Sequence, residues 1–402
     1  MQVLKSERPH IAFFGCTNSG KSSLVNAITN QQLSVVSNIK GTTTDPVSKM
    51  MELLPLGPVV IIDTAGIDDE SELGELRVKK TKEILNKTDI AILVIDSTIG
   101  ECEFDKKMIE EFKKRKIPYI VVFNKSDLIT SSKLIHNLPL DTKVLSTSTI
   151  NNSGLKELKD MLGFLYNQTL KKEKYIIKDK LQPCDIVIMV IPIDESAPKG
   201  RIILPQQNVL REILDANATA ICCGVDKLKN ILKKVSPKYV ITDSQVFNEV
   251  KEIVPNNIIL TSFSILMANY KGELKTLVNG ANKISKLKEA DKILISEGCT
   301  HHRQCNDIGT VKLPNWIKKY TNKNLNFEFT QGGEFPQDLS KYALIIHCGG
   351  CMLNDTEMKS RLHQANEQNI PIVNYGMAIA YMNGILERAL QIFYSWIVNR
   401  ES

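Results

Sequence analysis

Two short stretches, far apart in the chain, carry residues suited to soft-metal chemistry: Cys299-Thr300-His301-His302 and His347-Cys348-Gly349-Gly350-Cys351. A Cys-x-x-Cys with small middle residues lets both thiolates face one centre, and Cys299 supplies a third. Thiolates favour zinc or an iron–sulfur cluster. Three cysteines leave one iron of a four-iron cluster to a weaker ligand or to none, which suits a cluster that accepts and releases something. Two other readings stay open. Cys348 and Cys351 can form a redox dithiol, or the Cys/His set can hold a structural zinc. The adjacent glycines favour close approach of the backbone to something bulky, as a cluster would be. Cys305, close in sequence, reads as a loop thiol in preference to a ligand to the fourth iron, and Glu297 and Asp307 are weaker candidates.

A second constellation handles phosphate. Gly15-Cys16-Thr17-Asn18-Ser19-Gly20-Lys21-Ser22 fits the phosphate-binding loop pattern, between an apolar run (Ile11 to Phe14) and a helical one starting at Ser23. Strand, glycine-rich loop and helix are the context the motif requires. Gly15 and Gly20 let backbone N–H groups face the phosphates, with the positive helix end behind them. Lys21 should reach the β- and γ-phosphates and the Ser22 hydroxyl should bind Mg²⁺. Thr43, in Gly41-Thr42-Thr43-Thr44-Asp45, is placed as a second Mg²⁺ hydroxyl. Asp63 of Asp63-Thr64-Ala65-Gly66 should support the ion, and the Gly66 N–H should meet the γ-phosphate. Asn124-Lys125-Ser126-Asp127 reads guanine: the Asp127 carboxylate accepts from N1 and N2, a donor pair that adenine lacks. Ser148 and Thr149 fall where a further base contact belongs, with Thr149 where alanine is usual.

The elements that must position these groups alternate along the chain. Each cysteine stretch follows an apolar run, Ile293 to Ile295 and Ala343 to Ile346, that reads as a strand. Open α/β sheets gather ligand sites from loops at strand C-termini, so distant thiols can converge. Strands alternating with helices recur to the C-terminus, which gives an α/β protein with parallel sheets. A charged linker from Lys171 to Lys180, followed by Pro183, sets a boundary near residue 175. Three domains are expected: 1–174, 175–271 and 272–402. In the middle one, the loop from Asp194 to Arg201 reads as surface, and Cys184, Cys222 and Cys223 read as core. Gly376 to Val398 reads as a long, mostly apolar helical stretch.

Composition bounds the rest. The chain has 402 residues, 43% of them hydrophobic, with a net charge of +6. The lysines are dispersed, so nothing demands a nucleic-acid partner. No apolar run reaches the roughly 18 residues of a membrane span. Met1 to Pro9 is polar and shows no signal-peptide pattern. The nine cysteines then point to a reducing cytoplasm, where they serve metal, catalysis or packing.

The nucleotide motifs resemble the translation-factor-related GTPases that include Era and the tRNA-modifying enzyme TrmE. Asn18 holds the loop position that, in potassium-stimulated members, helps bind K⁺. Ile67 stands where Ras-like proteins carry a water-orienting glutamine. Cys299-x-His301, then 45 residues, then His347-Cys348-x-x-Cys351, behind such a GTPase, resembles the HydF family of [FeFe]-hydrogenase maturation GTPases. The resemblance runs over the whole chain, including Gly41 to Val47 and Ile193 to Gln207. It implies a GTPase domain, a dimerisation domain and a [4Fe-4S]-binding domain, with Cys299, Cys348 and Cys351 as cluster ligands. His301 and His347 belong to the motif, either as ligands or as groups that orient the cluster loop. The fourth iron would keep a non-cysteine or exchangeable ligand. The function implied is a homodimeric carrier. It would take a diiron precursor from two radical-SAM maturases and deliver it to apo-[FeFe]-hydrogenase, with GTP, Mg²⁺ and K⁺ at the switch. The competing expectation is an RNA-associated GTPase with a zinc or redox cysteine site.

Overall fold

The computed structural model describes residues 5–30, 47–64, 74–129, 138–139, 142–169, 174–192, 202–298 and 307–397. The chain divides into two compact units, residues 1–173 and 174–402.

In the first unit, the apolar runs form β1 (His10–Phe14), β3 (Gly57–Asp63), β4 (Ile90–Asp96), β5 (Tyr119–Asn124) and β6 (Lys143–Ser146), with β2 (Val47–Leu53) between β1 and β3 in sequence. The sheet order is β2-β3-β1-β4-β5-β6, and β2 alone is antiparallel, against β3. The sequence reading did not include β2. It is an edge strand carrying Lys49 and Glu52, without the apolar signal of a buried one. Side chains alternate across β1. Ile11 and Phe13 pack in one core with α1 (Lys21–Thr29) and α4 (Leu155–Thr169), while Ala12 and Phe14 pack in another with α2 (Gly74–Lys87) and α3 (Glu103–Arg115). A strand buried on both faces reads as a near-continuous apolar run, as β1 does from Ile11 to Phe14 and β4 from Ile90 to Ile95.

The second unit contains two four-stranded parallel sheets. The first, ordered β10-β9-β7-β8, uses β7 (Ile186–Val190), β8 (Thr219–Cys223), β9 (Tyr239–Thr242) and β10 (Ile259–Ser262). The second, ordered β12-β11-β13-β14, uses β11 (Lys292–Glu297), β12 (Asn326–Gln331), β13 (Leu344–His347) and β14 (Ile372–Asn374). Around them lie α5 (Leu204–Asp215), α6 (Val225–Leu232), α7 (Phe247–Ile253), α8 (Phe263–Lys271), α9 (Leu274–Lys283), α10 (Leu313–Thr321), α11 (Asp355–Glu367), α12 (Tyr375–Met382) and α13 (Leu386–Ile397). The sequence divides this region at residue 272, yet both sheets share one continuous core, from Val187 and Leu260 to Ile293, Ile345 and Phe393.

Two expectations need correcting. The apolar stretch after Gly376 is two helices, because Asn383 ends α12 and Gly384 turns the chain at φ 68°. Cys222 and Cys184 are exposed and Cys223 only half-buried. β8 is an edge strand, so one side of it lacks the neighbour that would bury Cys222 and Cys223, and Cys184 lies outside the strands, before β7.

Candidate functional site

The first unit builds a nucleotide site at the C-terminal ends of β1, β3 and β5. The phosphate loop turns at Gly15 (φ 144°) and Gly20 (φ 87°). A Cβ at Gly15 would lie 2.1 Å from the Val94 carbonyl oxygen, and one at Gly20 would lie 2.3 Å from Asn124 Nδ2. Only glycine fits either position. Asn18 is exposed, in the left-handed region at φ 64°. Lys21 Nζ donates to the carbonyls of Gly15 (2.6 Å) and Cys16 (2.8 Å), which holds the ammonium over the loop. Ser22 Oγ donates to Asp63 Oδ2 at 2.7 Å, and Asp63 Oδ1 is buried with no hydrogen-bond partner. A hydroxyl and a carboxylate in contact, with an oxygen to spare, form a donor set for a hard cation such as Mg²⁺. Ser19, within the loop, is buried, and Ser23, just after it, is half-buried.

The Asn124-Lys125-Ser126-Asp127 segment is tied back to this loop. Asn124 Nδ2 donates to the Ser19 carbonyl at 3.1 Å, and Lys125 Nζ to the Asn18 carbonyl at 2.7 Å. Ser148, wholly buried, donates from Oγ to Asp127 Oδ1 at 2.5 Å and so orients that carboxylate. Thr149 is half-exposed beside it. The sequence reading missed Asp96, whose carboxylate accepts from Lys125 Nζ at 2.6 Å. Burial works to raise the Asp96 carboxyl, but hydrogen bonds from Lys125 and Thr98 prevail and hold it below the usual range. Thr43 and Gly66 lie outside the described residues.

The second unit gathers thiols at the point where its sheet order reverses. From β11 the chain runs outward to β12 on one side and returns to β13 on the other. The crevice at the C-termini of β11 and β13 is where open α/β sheets place ligands. The Cys348 N–H donates to the Ser296 carbonyl at 3.0 Å, docking one cysteine on the neighbouring strand end. The Cys348 Sγ accepts from the N–H of Gly298 at 3.0 Å and of Gly350 at 3.4 Å. A Cβ at Gly298 would lie 2.7 Å from Leu353 Cγ, so any larger residue there would displace the Leu353 side chain. Gly350 turns the Cys-x-x-Cys loop at φ 62°, and Gly349 has open space where a Cβ would stand. Buried Lys271, the last residue of α8, donates to the Gly350 carbonyl (3.1 Å) and the Leu353 carbonyl (2.8 Å).

Burial pushes the Cys348 thiol up to about 11, against the two N–H donors that favour its thiolate. Burial raises Cys351 as well, partly offset by the Lys271 charge. Thiols held protonated this way ionise when they meet a metal. Cys299, His301, His302 and Cys305 lie outside the described residues.

His347 has no ring nitrogen left for a metal. Its Nδ1 donates to the Cys348 carbonyl at 2.7 Å, and its Nε2 accepts from Arg361 Nη1 at 2.9 Å. Burial and the neighbouring guanidinium drive its pKa down to about 3, so the ring is neutral. Arg361 also donates to Ser296 Oγ, the Gly332 carbonyl and Glu357 Oε1. Sequence reading missed Arg361, which comes from α11, and Lys271; neither stands in a motif. Of the carboxylates, Asp307 Oδ2 accepts from the Thr310 N–H and hydroxyl, each at 2.9 Å. Buried Glu297 accepts from the Tyr375 hydroxyl at 3.2 Å.

Comparison with known proteins places both units. Residues 10–125 match a family model described as a 50S ribosome-binding GTPase. A tRNA modification GTPase MnmE from Desulforamulus reducens is 35% identical over 153 residues, covering 37% of this chain and 32% of that protein. A GTPase Der from Pseudothermotoga lettingae is 29% identical over 192 residues, covering 44% of each. The chain thus spans less than half the length of these curated relatives. Among solved structures, Aquifex aeolicus Era bound to GDP and AlF4⁻ aligns at TM-score 0.36 and 20% identity, over 61% of this chain and 97% of that one. Residues 176–272 match a hydrogen maturase F dimerization domain, and residues 275–392 a hydrogen maturase F tetramerization domain. Those two matches take up more than half of the sequence behind a GTPase domain, and the chain belongs to the hydrogen maturase F family.

Proposed function

We propose that this chain is a GTP-hydrolysing scaffold that holds a [4Fe-4S] cluster through Cys299, Cys348 and Cys351. On this reading it carries a diiron precursor beside the cluster for delivery to apo-[FeFe]-hydrogenase, after receiving it from the two radical-SAM maturases. The observation that carries the reading is the Gly298 N–H on the Cys348 sulfur. Gly298 is the chain neighbour of Cys299, and consecutive Cα atoms stand about 3.8 Å apart. That contact, with the residue just before Cys299 on the sulfur of Cys348, is what supports a shared site. N–H groups aimed at a thiolate sulfur are what a cluster ligand uses to spread its charge. The neutral, doubly bonded His347 orients the cysteine loop in this scheme and does not ligate. His301 remains a candidate ligand, and Cys305, Glu297 and Asp307 remain candidates for the fourth iron.

In the first unit, Lys21, Ser22, Thr43, Asp63 and Gly66 bind and hydrolyse Mg·GTP, with K⁺ held beside Asn18. Loss of the γ-phosphate shifts the populations of the loops bearing Thr43 and Gly66, and so biases partner docking. Self-association fits the dimerization and tetramerization domains that the family models name. β8 offers the means: it is the exposed edge of its sheet, and unpaired edges template pairing with a second copy. A cytoplasmic setting follows from a cluster that needs reduced thiols.

The test separates the two chemistries. Lys21→Ala should lower GTP turnover by at least a hundredfold and leave the EPR signal of the anaerobically reconstituted, reduced cluster unchanged. Cys348→Ala should erase that signal and leave turnover within twofold. If both variants lose both properties, or if the reconstituted wild type binds zinc and no iron, the scheme fails.

A further inference from the structure

We propose that the first unit carries a second, separate metal site for a soft divalent cation, formed by Cys16, Cys102 and Asp105 behind the phosphate loop. Cys16 lies in the loop itself, and Cys102 is the N-cap residue of α3. Their sulfurs stand 2.8 Å apart. The two sulfurs and an Asp105 carboxylate oxygen all lie within 4.8 Å of one another. This is the one such three-ligand group among the described residues.

Two cysteines near each other can be accidental, and the carboxylate is what argues for a cation. Asp105 is 2% exposed. Its Oδ2 accepts from the Cys102 N–H at 2.9 Å, the ordinary work of a helix-capping carboxylate. Its Oδ1 is buried and accepts no hydrogen bond of ordinary geometry. An orphaned carboxylate oxygen is costly unless something positive meets it. A redox pair of thiols would leave that oxygen as it is, whereas a cation between the sulfurs satisfies it. Burial raises the Asp105 carboxyl, and hydrogen bonds from the Cys102 N–H and thiol, with the nearby Lys21 charge, offset this in part.

The ligand chemistry selects the ion. Two thiolates and one carboxylate suit Zn²⁺, or Co²⁺ as its spectroscopic stand-in, with solvent in the fourth position. With Zn–S bonds of about 2.3 Å, two sulfurs on one tetrahedral ion sit about 3.8 Å apart. The thiols therefore part by about 1 Å, within reach of a side-chain rotation. Binding releases the ligand protons to solvent. The bound set carries a net charge of −1, three anionic ligands on a divalent ion, beside the Lys21 ammonium and the positive end of α3. The ion would tie the phosphate loop to α3.

The test begins with a full-length chain in which Cys299, Cys348 and Cys351 are serine, so that it is independent of the cluster. Titration with Co²⁺ should give one thiolate-to-cobalt absorption band per chain, lost on adding Cys16→Ser with Cys102→Ser. Asp105→Asn, which keeps the shape of the side chain, should weaken Co²⁺ binding at least tenfold. A measurement on the unaltered reduced chain needs no substitution: Zn²⁺ should slow alkylation of Cys16 and Cys102 at least fivefold, reversed by EDTA. The proposal is overturned by equal alkylation with and without Zn²⁺, by an unchanged cobalt band in the double serine variant, or by wild-type affinity in Asp105→Asn. Isolation of the pair as a disulfide that takes up no metal after reduction overturns it as well.

Discussion

The ring of His347 sits at the end of a central strand, wholly buried, with one nitrogen on a backbone carbonyl and the other on a guanidinium. That arrangement has a pH consequence. The unfolded chain binds a proton on this histidine below pH 6.5, while the folded one resists until about 3. The unfolded state therefore holds more protons in this window, and stability falls as pH drops from 6.5 toward 3. By pH 5 the loss should be about 2 kcal/mol. Urea unfolding followed by tryptophan fluorescence at pH 7 and pH 5 measures it, because both tryptophans, Trp316 and Trp396, belong to the second unit. His347→Gln, though less stable overall, should lose about 2 kcal/mol less between the two pH values; an unchanged difference would place the acid sensitivity elsewhere. The sequence reading put His347 in the cysteine motif but left its role between ligand and orienting group. The deciding partner, Arg361, is delivered by α11 only when that helix packs. The phosphate loop was legible because its work is local: glycine backbone, lysine and serine act within eight consecutive residues. Cys16 and Cys102 come together only in the fold, and no spacing rule joins them.

Elements that the sequence showed clearly were those buried on both faces, such as β4 and β11, because parallel strands must be continuously apolar. Edges were harder to read. β2 and β8 carry mixed faces, and the thiols of β8 read as core until the sheet order left them at a rim. If β8 pairs with a second copy, charge on that edge should block it. Ala220→Lys with Cys222→Lys should convert the associated species to monomer in analytical ultracentrifugation, with the far-UV circular dichroism spectrum retained. An unchanged mass would assign self-association to another surface. Helix packing sets a second test. α9 lies so close to β14 that a Cβ on Gly280 would stand 1.9 Å from the Ile372 carbonyl oxygen. A backbone atom cannot step aside as a side-chain tip can. Gly280→Ala should cost more than the gain of up to about 1 kcal/mol that alanine brings a helix, for a net loss of roughly 2 kcal/mol or more, as overpacking does. A neutral or stabilising result in the same tryptophan-monitored urea assay would show that α9 can lift from the sheet.

At the scale of the molecule, the two units keep separate cores. The first packs its sheet between two clusters drawn wholly from residues 11 to 165, and the second has one cluster running from Ile176 to Phe393. The sequence set an expected boundary near residue 175 from a charged linker. It offered no sign that the two later sheets would merge, because residues that bury against each other across a sheet-to-sheet contact share no local pattern. Separate cores imply separate unfolding transitions, so a single stability value does not describe this chain. A ligand that binds only the folded first unit raises the transition of that unit by mass action, about 2.7 kcal/mol at a hundred times its Kd. Mg·GDP at that excess should therefore shift one calorimetric transition upward by several degrees. The tryptophan-reported transition should stay within about 1 °C, since both reporters lie in the second unit. Lys21→Ala should abolish the nucleotide shift while leaving the tryptophan transition where it was. Should Mg·GDP move both transitions together, nucleotide binding is coupled to the thiol-bearing unit in the folded state. The energy of that coupling would then be read directly from the second shift.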